Sequence, residues 1–136
     1  MNIVSNVLTF ASVTTLVAAS TVGLSATSAH AAGYSCNPAP DLKLTSSSVT
    51  AGGSAQCDLP VGHEVGVTTI LYIDGFNAGS TYRRCTADPA NFECQGTPLT
   101  KGRGGTNCSR VLIDYYDPGQ ETTVFRGANT GDGCPV

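Results

Sequence analysis

The strongest secondary-structure signal in the chain is Val65-Gly-Val-Thr-Thr-Ile-Leu-Tyr-Ile73. It is rich in β-branched residues, and every second position from Val65 to Ile73 places an apolar or β-branched side chain on one face. This pattern predicts a central β-strand. Asp74-Gly75 follows at once and is a strong hairpin signal, although Phe76-Asn-Ala-Gly-Ser80 indicates a turn longer than two residues. We therefore expect the return strand over residues 81–85.

A second hairpin is predicted near the carboxyl terminus. Arg110-Val-Leu-Ile-Asp-Tyr-Tyr116 and Glu121-Thr-Thr-Val-Phe-Arg126 have the composition of strands and flank Asp117-Pro-Gly-Gln120. Proline presets φ at the second position of a reverse turn, and glycine accepts a positive φ at the third. The sequence therefore predicts a turn centred on Pro118-Gly119.

Shorter elements complete the expected fold. Leu42-Lys-Leu-Thr45 and Ser54-Ala-Gln-Cys57 are predicted strands on either side of Thr50-Ala-Gly-Gly53. Asp88-Pro-Ala-Asn-Phe-Glu93 starts with a capping residue and a first-turn proline, which predicts a single helical turn. Short strands, frequent glycine and proline and almost no helix predict an all-β fold, a small antiparallel β-sandwich or barrel.

The first 31 residues have the layout of a secretory signal peptide. An uncharged apolar stretch precedes Ala29 and Ala31, which fit the small-x-small requirement of the signal peptidase. We expect cleavage after Ala31, which leaves one domain over residues 32–136. No other segment reaches the roughly 18 consecutive apolar residues needed to cross a bilayer. The expected product is secreted and extracellular, without a transmembrane segment.

All six cysteines lie in the predicted mature chain, where they predict three disulfides. An even number of cysteines in a short secreted chain is typical of a disulfide framework, although the sequence does not select the pairing. Zinc is the weaker interpretation, because no Cys-x-x-Cys pair is present and one histidine remains after processing. We therefore expect no metal and no cofactor. The six are Cys36, Cys57, Cys85, Cys94, Cys108 and Cys134.

Charge is segregated along the chain. The segment from Tyr82 to Arg110 holds five basic and two acidic side chains, and the mature segments on either side of it are net negative. This basic segment either neutralises acidic neighbours in the fold or forms a surface for an anionic partner. On the second interpretation the partner is an extracellular protein or an anionic glycan or lipid surface. The predicted binding residues are Arg83, Arg84, Lys101 and Arg103.

Nucleic acid is a disfavoured partner. The mature chain is net acidic and has no tryptophan, whereas proteins that bind single strands combine positive charge with aromatic stacking platforms. The leading interpretation is a small cysteine-rich secreted protein that acts by binding outside the cell. Effectors, elicitors and toxins, including virulence proteins, form the functional class with this combination of features.

Catalysis is the first alternative. His63-Glu64 is the histidine-containing pair left after processing, and it would provide acid–base chemistry in a small hydrolase acting on an extracellular polymer. If cleavage instead followed Ala29, His30 would become the amino terminus, and with His63 it would resemble the copper site of lytic polysaccharide monooxygenases. We expect His30 to be lost with the signal peptide.

Two further motifs are open to a functional and to a structural interpretation. A disulfide between Cys85 and Cys94 would close a short proline-containing loop of the kind that protease inhibitors insert into a cleft, because rigidity lowers the entropy lost on binding. A structural role is favoured for this loop. Asn107-Cys-Ser109 is the one N-glycosylation sequon in the chain, and a glycan there would cover part of the basic segment.

Overall fold

The computed structural model describes residues 33–89 and 92–136, which contain eight β-strands and no helix. Residues 33–136 form one compact unit. The predicted signal peptide over residues 1–31, with His30, lies outside the described residues. The strands are β1 (Ser35–Leu44), β2 (Ser48–Asp58), β3 (Glu64–Ile73), β4 (Phe76–Thr86), β5 (Phe92–Gln95), β6 (Leu99–Gly102), β7 (Asn107–Asp117) and β8 (Thr122–Gly131).

The strands form two antiparallel sheets that pack as a sandwich. Sheet B has the order β4-β3-β7-β8, so β4 and β8 are its edges. In sheet A, β1 pairs with β2 along its whole length. The other side of β2 pairs with β5 and β6, which follow one another end to end. The all-β prediction is confirmed in its sandwich form, because sheet B does not close into a barrel.

The hydrophobic core lies between the sheets and follows the alternation of β3. Every second side chain from Val65 to Leu71 is fully buried, because successive side chains of a strand point to opposite faces. β7 contributes a second buried row in the same way. The residues of that row and of the facing strand β2 include Val111, Ile113, Tyr115, Val49, Ala51 and Ala55.

The β3–β4 turn is shorter than the sequence indicated. Ile73 pairs with Phe76, so the loop consists of Asp74-Gly75 alone. Both residues have positive φ, 51° and 84°, as a two-residue type I′ hairpin requires. The prediction of a longer turn, with a return strand starting at Thr81, was wrong. The intervening residues extend β4 and include a bulge at Ala78, which the pairing with β3 skips.

The second hairpin is confirmed, but the geometry of its turn differs from the prediction. β7 and β8 pair without interruption down to Asp117 opposite Thr122, which leaves a four-residue loop. The Gln120 amide donates to the Asp117 carbonyl at 3.1 Å, and the Gly119 amide donates to Asp117 Oδ1 at 2.8 Å. Positive φ falls on Glu121, at 53°, and not on Gly119. The loop is therefore a turn followed by one left-handed residue.

Two predictions for the remaining segments were wrong. Residues 50–53 do not separate two strands but lie inside β2. The connection between β1 and β2 is instead a tight turn in which the Thr45 amide donates to the Ser48 carbonyl at 2.9 Å. The predicted helical turn over residues 88–93 fails at Phe92 and Glu93, because both begin β5 and pair with β2.

Three disulfides cross-link the sandwich, as the six cysteines predicted. Cys36–Cys57 joins directly opposed residues of β1 and β2. Cys85–Cys94 joins β4 of sheet B to β5 of sheet A, so it ties the two sheets together. Cys108–Cys134 fastens the chain after β8 to the start of β7. Three disulfides in so small a domain indicate an oxidising compartment, extracellular or periplasmic.

We expect Gly53→Ala to destabilise the protein because β2 passes close to β1 and β7 there. A Cβ on Gly53 would overlap Val111 Cγ2 and lie 2.7 Å from the Ala39 carbonyl oxygen, and φ is +152°. The expected loss is about 1–3 kcal/mol of unfolding free energy. Gly52→Ala is the matched control, since the nearest atom to its Cβ would be 3.9 Å away. Urea unfolding of the oxidised variants measures both, and equal midpoints would contradict the close approach.

Candidate functional site

A shallow groove of about 450 Å³ crosses one end of the outer face of sheet B, the side whose residues point away from sheet A. Three neighbouring strands supply its charged side chains: Glu64 from β3, Arg84 from β4 and Asp114 from β7. Glu64 Oε2 lies 3.5 Å from Arg84 Nη1, and both side chains are more than half exposed, at 53% and 61%. At such exposure the ion pair contributes little stability, so both groups are available to a ligand.

The groove exists because Gly66, near the start of the central strand β3, has no side chain. A Cβ on Gly66 would overlap Asp114 Oδ1 and lie 2.8 Å from the Tyr82 hydroxyl. Side chains from both neighbouring strands therefore reach over the backbone of β3. A hydrogen bond with Tyr82 is the main cause that raises the pKa of Arg84, and the charges of Glu64 and Asp114 raise it further. The guanidinium remains charged throughout the physiological range.

Four large side chains with apolar surface are exposed on the outer face. Tyr82 is 53% exposed, Leu112 41%, Tyr116 45% and Phe125 76%. In the pairing of β7 with β8, Phe125 lies opposite Asp114, which stands between Leu112 and Tyr116 on β7. Diagonal neighbours of this kind are about 7–8 Å apart, within reach of aromatic side chains. Three of the four thus form one cluster, and Tyr82 lies across the groove.

Tyr116 is held in place by the β7–β8 turn. Its hydroxyl donates to Glu121 Oε2 at 2.8 Å. This hydrogen bond is the main cause that raises the pKa of the Tyr116 phenol, since the phenolate would lose the bond and face a carboxylate. The Tyr116 phenol is therefore neutral, and its hydrogen bond to Glu121 holds the ring at the wall of the groove.

The structure separates the four basic residues predicted to bind a partner. Arg83 and Arg84 are consecutive in β4 and so point to opposite sides of the sheet. Of the two, Arg84 lines the groove. Lys101 lies in β6 of sheet A, and Arg103 donates to the Thr45 carbonyl at 3.1 Å beside the β1–β2 turn. All four are exposed, and of the four only Arg84 lines the groove.

His63 and Glu64 both line the groove without forming an acid–base pair. The His63 ring packs edge-on against Tyr34, with the ring centroids 5.2 Å apart, while Glu64 pairs with Arg84. No hydrogen bond joins the His63 ring to a carboxylate among residues 33–89 and 92–136. In the same part of the chain no cluster of three or more His, Cys, Asp or Glu is arranged to hold a metal ion. The hydrolase alternative stays a prediction without geometric support.

The loop proposed for protease inhibition is closed by Cys85–Cys94 and is partly pinned to the body of the protein. Ala87 is 1% exposed. Its amide donates to the His63 carbonyl at 2.7 Å, and its carbonyl accepts from the Gly62 amide at 2.7 Å. Pro89 is exposed. The disulfide joins the two sheets, and the contacts of Ala87 hold the start of the loop against the segment before β3, which favours a structural role.

Arg110, a member of the basic segment, is occupied by structural contacts. Its guanidinium lies over the Tyr72 ring, 5.2 Å from the centroid. It also donates to Asn129 Oδ1 at 2.7 Å and to the Pro135 carbonyl. Arg110 therefore holds the chain after β8 against the outer face.

Sequence reasoning missed the exposed cluster, although β7 carries its signal. Leu112 and Tyr116 stand at positions that alternate with the buried residues Val111, Ile113 and Tyr115. A strand with one solvated face carries polar residues at those positions. Apolar residues at these positions produce the exposed cluster on the outer face.

We expect Asn107 to be unmodified in the folded protein. The residue is 6% exposed. Its Nδ2 donates to the Gly104 carbonyl at 3.0 Å, and its Oδ1 accepts from the Gly104 amide at 3.1 Å. A glycan needs open space at Nδ2, which this position lacks. The intact mass of oxidised protein secreted by a glycosylating eukaryotic host should equal that of the polypeptide. A mass that falls on enzymatic deglycosylation, with the disulfides intact, would contradict this expectation.

Among the described residues, no helix has the length and apolar character needed to span a membrane.

Comparison with known proteins gives likenesses to solved structures and no family. No family model and no curated protein matches the chain. Among solved structures it is similar to the "Solution Structure of R. palustris CsgH", with a TM-score of 0.48 and 10% sequence identity. The likeness covers 73% of this chain and 94% of that one. At this level of similarity it carries no argument about function.

Proposed function

We propose that this protein is a secreted, non-enzymatic binding protein that recognises an extracellular protein through the outer face of sheet B. The observation that carries the proposal is the exposure of four large side chains around a groove of mixed charge. These are Tyr82, Leu112, Tyr116 and Phe125.

The composition of the face favours a protein over a uniformly anionic glycan or lipid. Tyrosine, phenylalanine and arginine are enriched where proteins bind one another. The aromatic residues bury a large area with few rotatable bonds, and arginine forms several hydrogen bonds through its planar guanidinium. Arg84 lines the groove together with the carboxylates of Glu64 and Asp114. A surface of mixed sign complements another mixed surface, whereas an anionic polymer or membrane would be repelled by the two carboxylates.

The face is also rigid, which favours binding. β3 and β7 are hydrogen-bonded on both sides, and Cys85–Cys94 ties the edge strand β4 to sheet A. A preformed surface loses less conformational entropy when a partner binds. The central part of the face therefore does not have to order itself on association.

We place the site of action outside the cell. The signal-peptide layout of residues 1–31 and the three disulfides support export to an oxidising environment. Effectors and toxins remain the proposed functional class, and of the four predicted basic residues Arg84 is the proposed contact, because it lies in the groove.

Retention of extracellular proteins on the immobilised, oxidised protein tests this proposal. We expect the double variant Leu112→Ser with Tyr116→Ser to retain about tenfold less of the captured partner, since aromatic anchors at the centre of an interface carry most of the binding energy. The matched control is Leu44→Ser with Phe76→Ser, which removes two apolar side chains, 48% and 78% exposed, at the end of β1 and at the β3–β4 turn, outside the groove.

Charge-reversal variants distinguish binding through the outer face of sheet B from binding through the basic segment. Arg84→Glu should weaken retention, and the triple reversal of Arg83, Lys101 and Arg103 to Glu should leave it unchanged. If the triple variant loses binding and Arg84→Glu binds fully, the partner contacts the basic segment and not the outer face. Equal retention by every variant that unfolds at the wild-type midpoint would overturn the proposal.

A further inference from the structure

The exposed edges of the two sheets are protected to different degrees. β1, the outer strand of sheet A, contains two prolines and two charged residues: Pro38, Pro40, Asp41 and Lys43. Proline lacks the N–H group needed for pairing, and charged side chains disfavour the approach of another strand. The edge of sheet A is therefore blocked by its own sequence.

The β4 edge of sheet B is also protected. Its pairing register shifts at the bulge on Ala78, and bulges twist an edge away from a second strand. Arg83 and Arg84 add two charges near its end. The Thr81 hydroxyl donates to the Thr97 carbonyl at 2.5 Å, so the segment between β5 and β6 lies against this strand.

The β8 edge has fewer of these devices. Its ten residues run from Thr122 to Gly131, pair with β7 without a bulge and include no proline. Arg126 is the one charged residue among them. Within residues 33–89 and 92–136, β8 forms backbone ladder bonds with β7 alone. Its second row of N–H and C=O groups is a template for another strand.

We propose that β8 pairs antiparallel with β8 of a second copy of this chain, which joins the two B sheets into one eight-stranded sheet. With the two-fold axis at Phe125, this ring lies opposite its counterpart, and aromatic cross-strand pairs are favourable. Arg126 then lies opposite Val124 of the second copy, not opposite another arginine. The register thus buries the side chain that is 76% exposed in the single copy and places no like charges in direct opposition.

The strand itself is the reason to identify a second copy as the occupant. An antiparallel pair of identical strands is self-complementary about a two-fold axis, the commonest symmetry of homo-oligomers. Two edge strands bury much less than the roughly 1,600 Å² of a standard interface. The dimer is therefore weak and depends on concentration. This inference does not rest on the proposed partner, since strand pairing needs only the free edge of β8, although Phe125 also belongs to the exposed cluster of the outer face.

Sedimentation equilibrium of the full, oxidised chain tests the dimer. The average mass should rise towards twice that of the monomer as the concentration increases. Phe125→Lys should weaken dimerisation about tenfold or more, because it places two ammonium groups opposite each other at the axis. Tyr82→Lys is the matched control at the opposite edge of the same face, and it should leave dimerisation unchanged. Monomer mass at every concentration, or equal weakening by both variants, would overturn the proposal.

Amide hydrogen exchange distinguishes edge pairing from stacking of the outer faces. Alternate amides of β8, those that do not bond to β7, should exchange more slowly as the concentration of the protein rises. Phe125→Lys should abolish this dependence while the amides of β3 stay protected, which shows that the variant is folded. A dimer whose β8 amides exchange at the rate of the monomer would refute strand pairing.

Discussion

The central position of β3 constrains everything around it. Both of its sides are hydrogen-bonded, to β4 and to β7, and one of its faces lies in the core. Because the side chains of a strand alternate with a period of two, only one set can be buried, and a shift of one residue would exchange the sets. Burial of Val65, Val67 and Leu71 therefore fixes Glu64 and Gly66 on the outer face. The groove follows from this register and not from a separate element.

The exposed cluster has a cost in stability that the disulfides offset. A domain of this size buries about two-thirds of the surface of its unfolded chain, so its core provides a narrow margin. Leu112 and Phe125 leave apolar area exposed on the outer face, where it does not contribute to the core. Each disulfide contributes roughly 2–4 kcal/mol by restricting the unfolded chain. Cys36, Cys94 and Cys108 are also fully buried, so the same residues serve as cross-links and as core.

The sequence was sufficient for the elements with strong local signals, namely β3, the β7–β8 hairpin and three disulfides. It failed where contacts between residues distant in sequence, and not the local pattern, determine the structure. Gly53 reads as a turn residue, but it lies inside β2 because Val111 packs where its side chain would be. Asn107 satisfies a sequon, yet the motif does not encode burial. A count of charges along the chain places Arg83 and Arg84 in one basic patch. In a strand, however, consecutive side chains point to opposite sides of the sheet.

The floor of the groove is the backbone of β3 at Gly66, whose ladder bonds are already made with both neighbouring strands. A ligand that reaches this floor finds no side chain and few free polar groups below it, so discrimination rests on the walls. Arg84 and Asp114 form those walls from separate strands, and neither contributes to the core. The wall residues can consequently be exchanged, provided that the glycine is kept, without a change in how the chain folds.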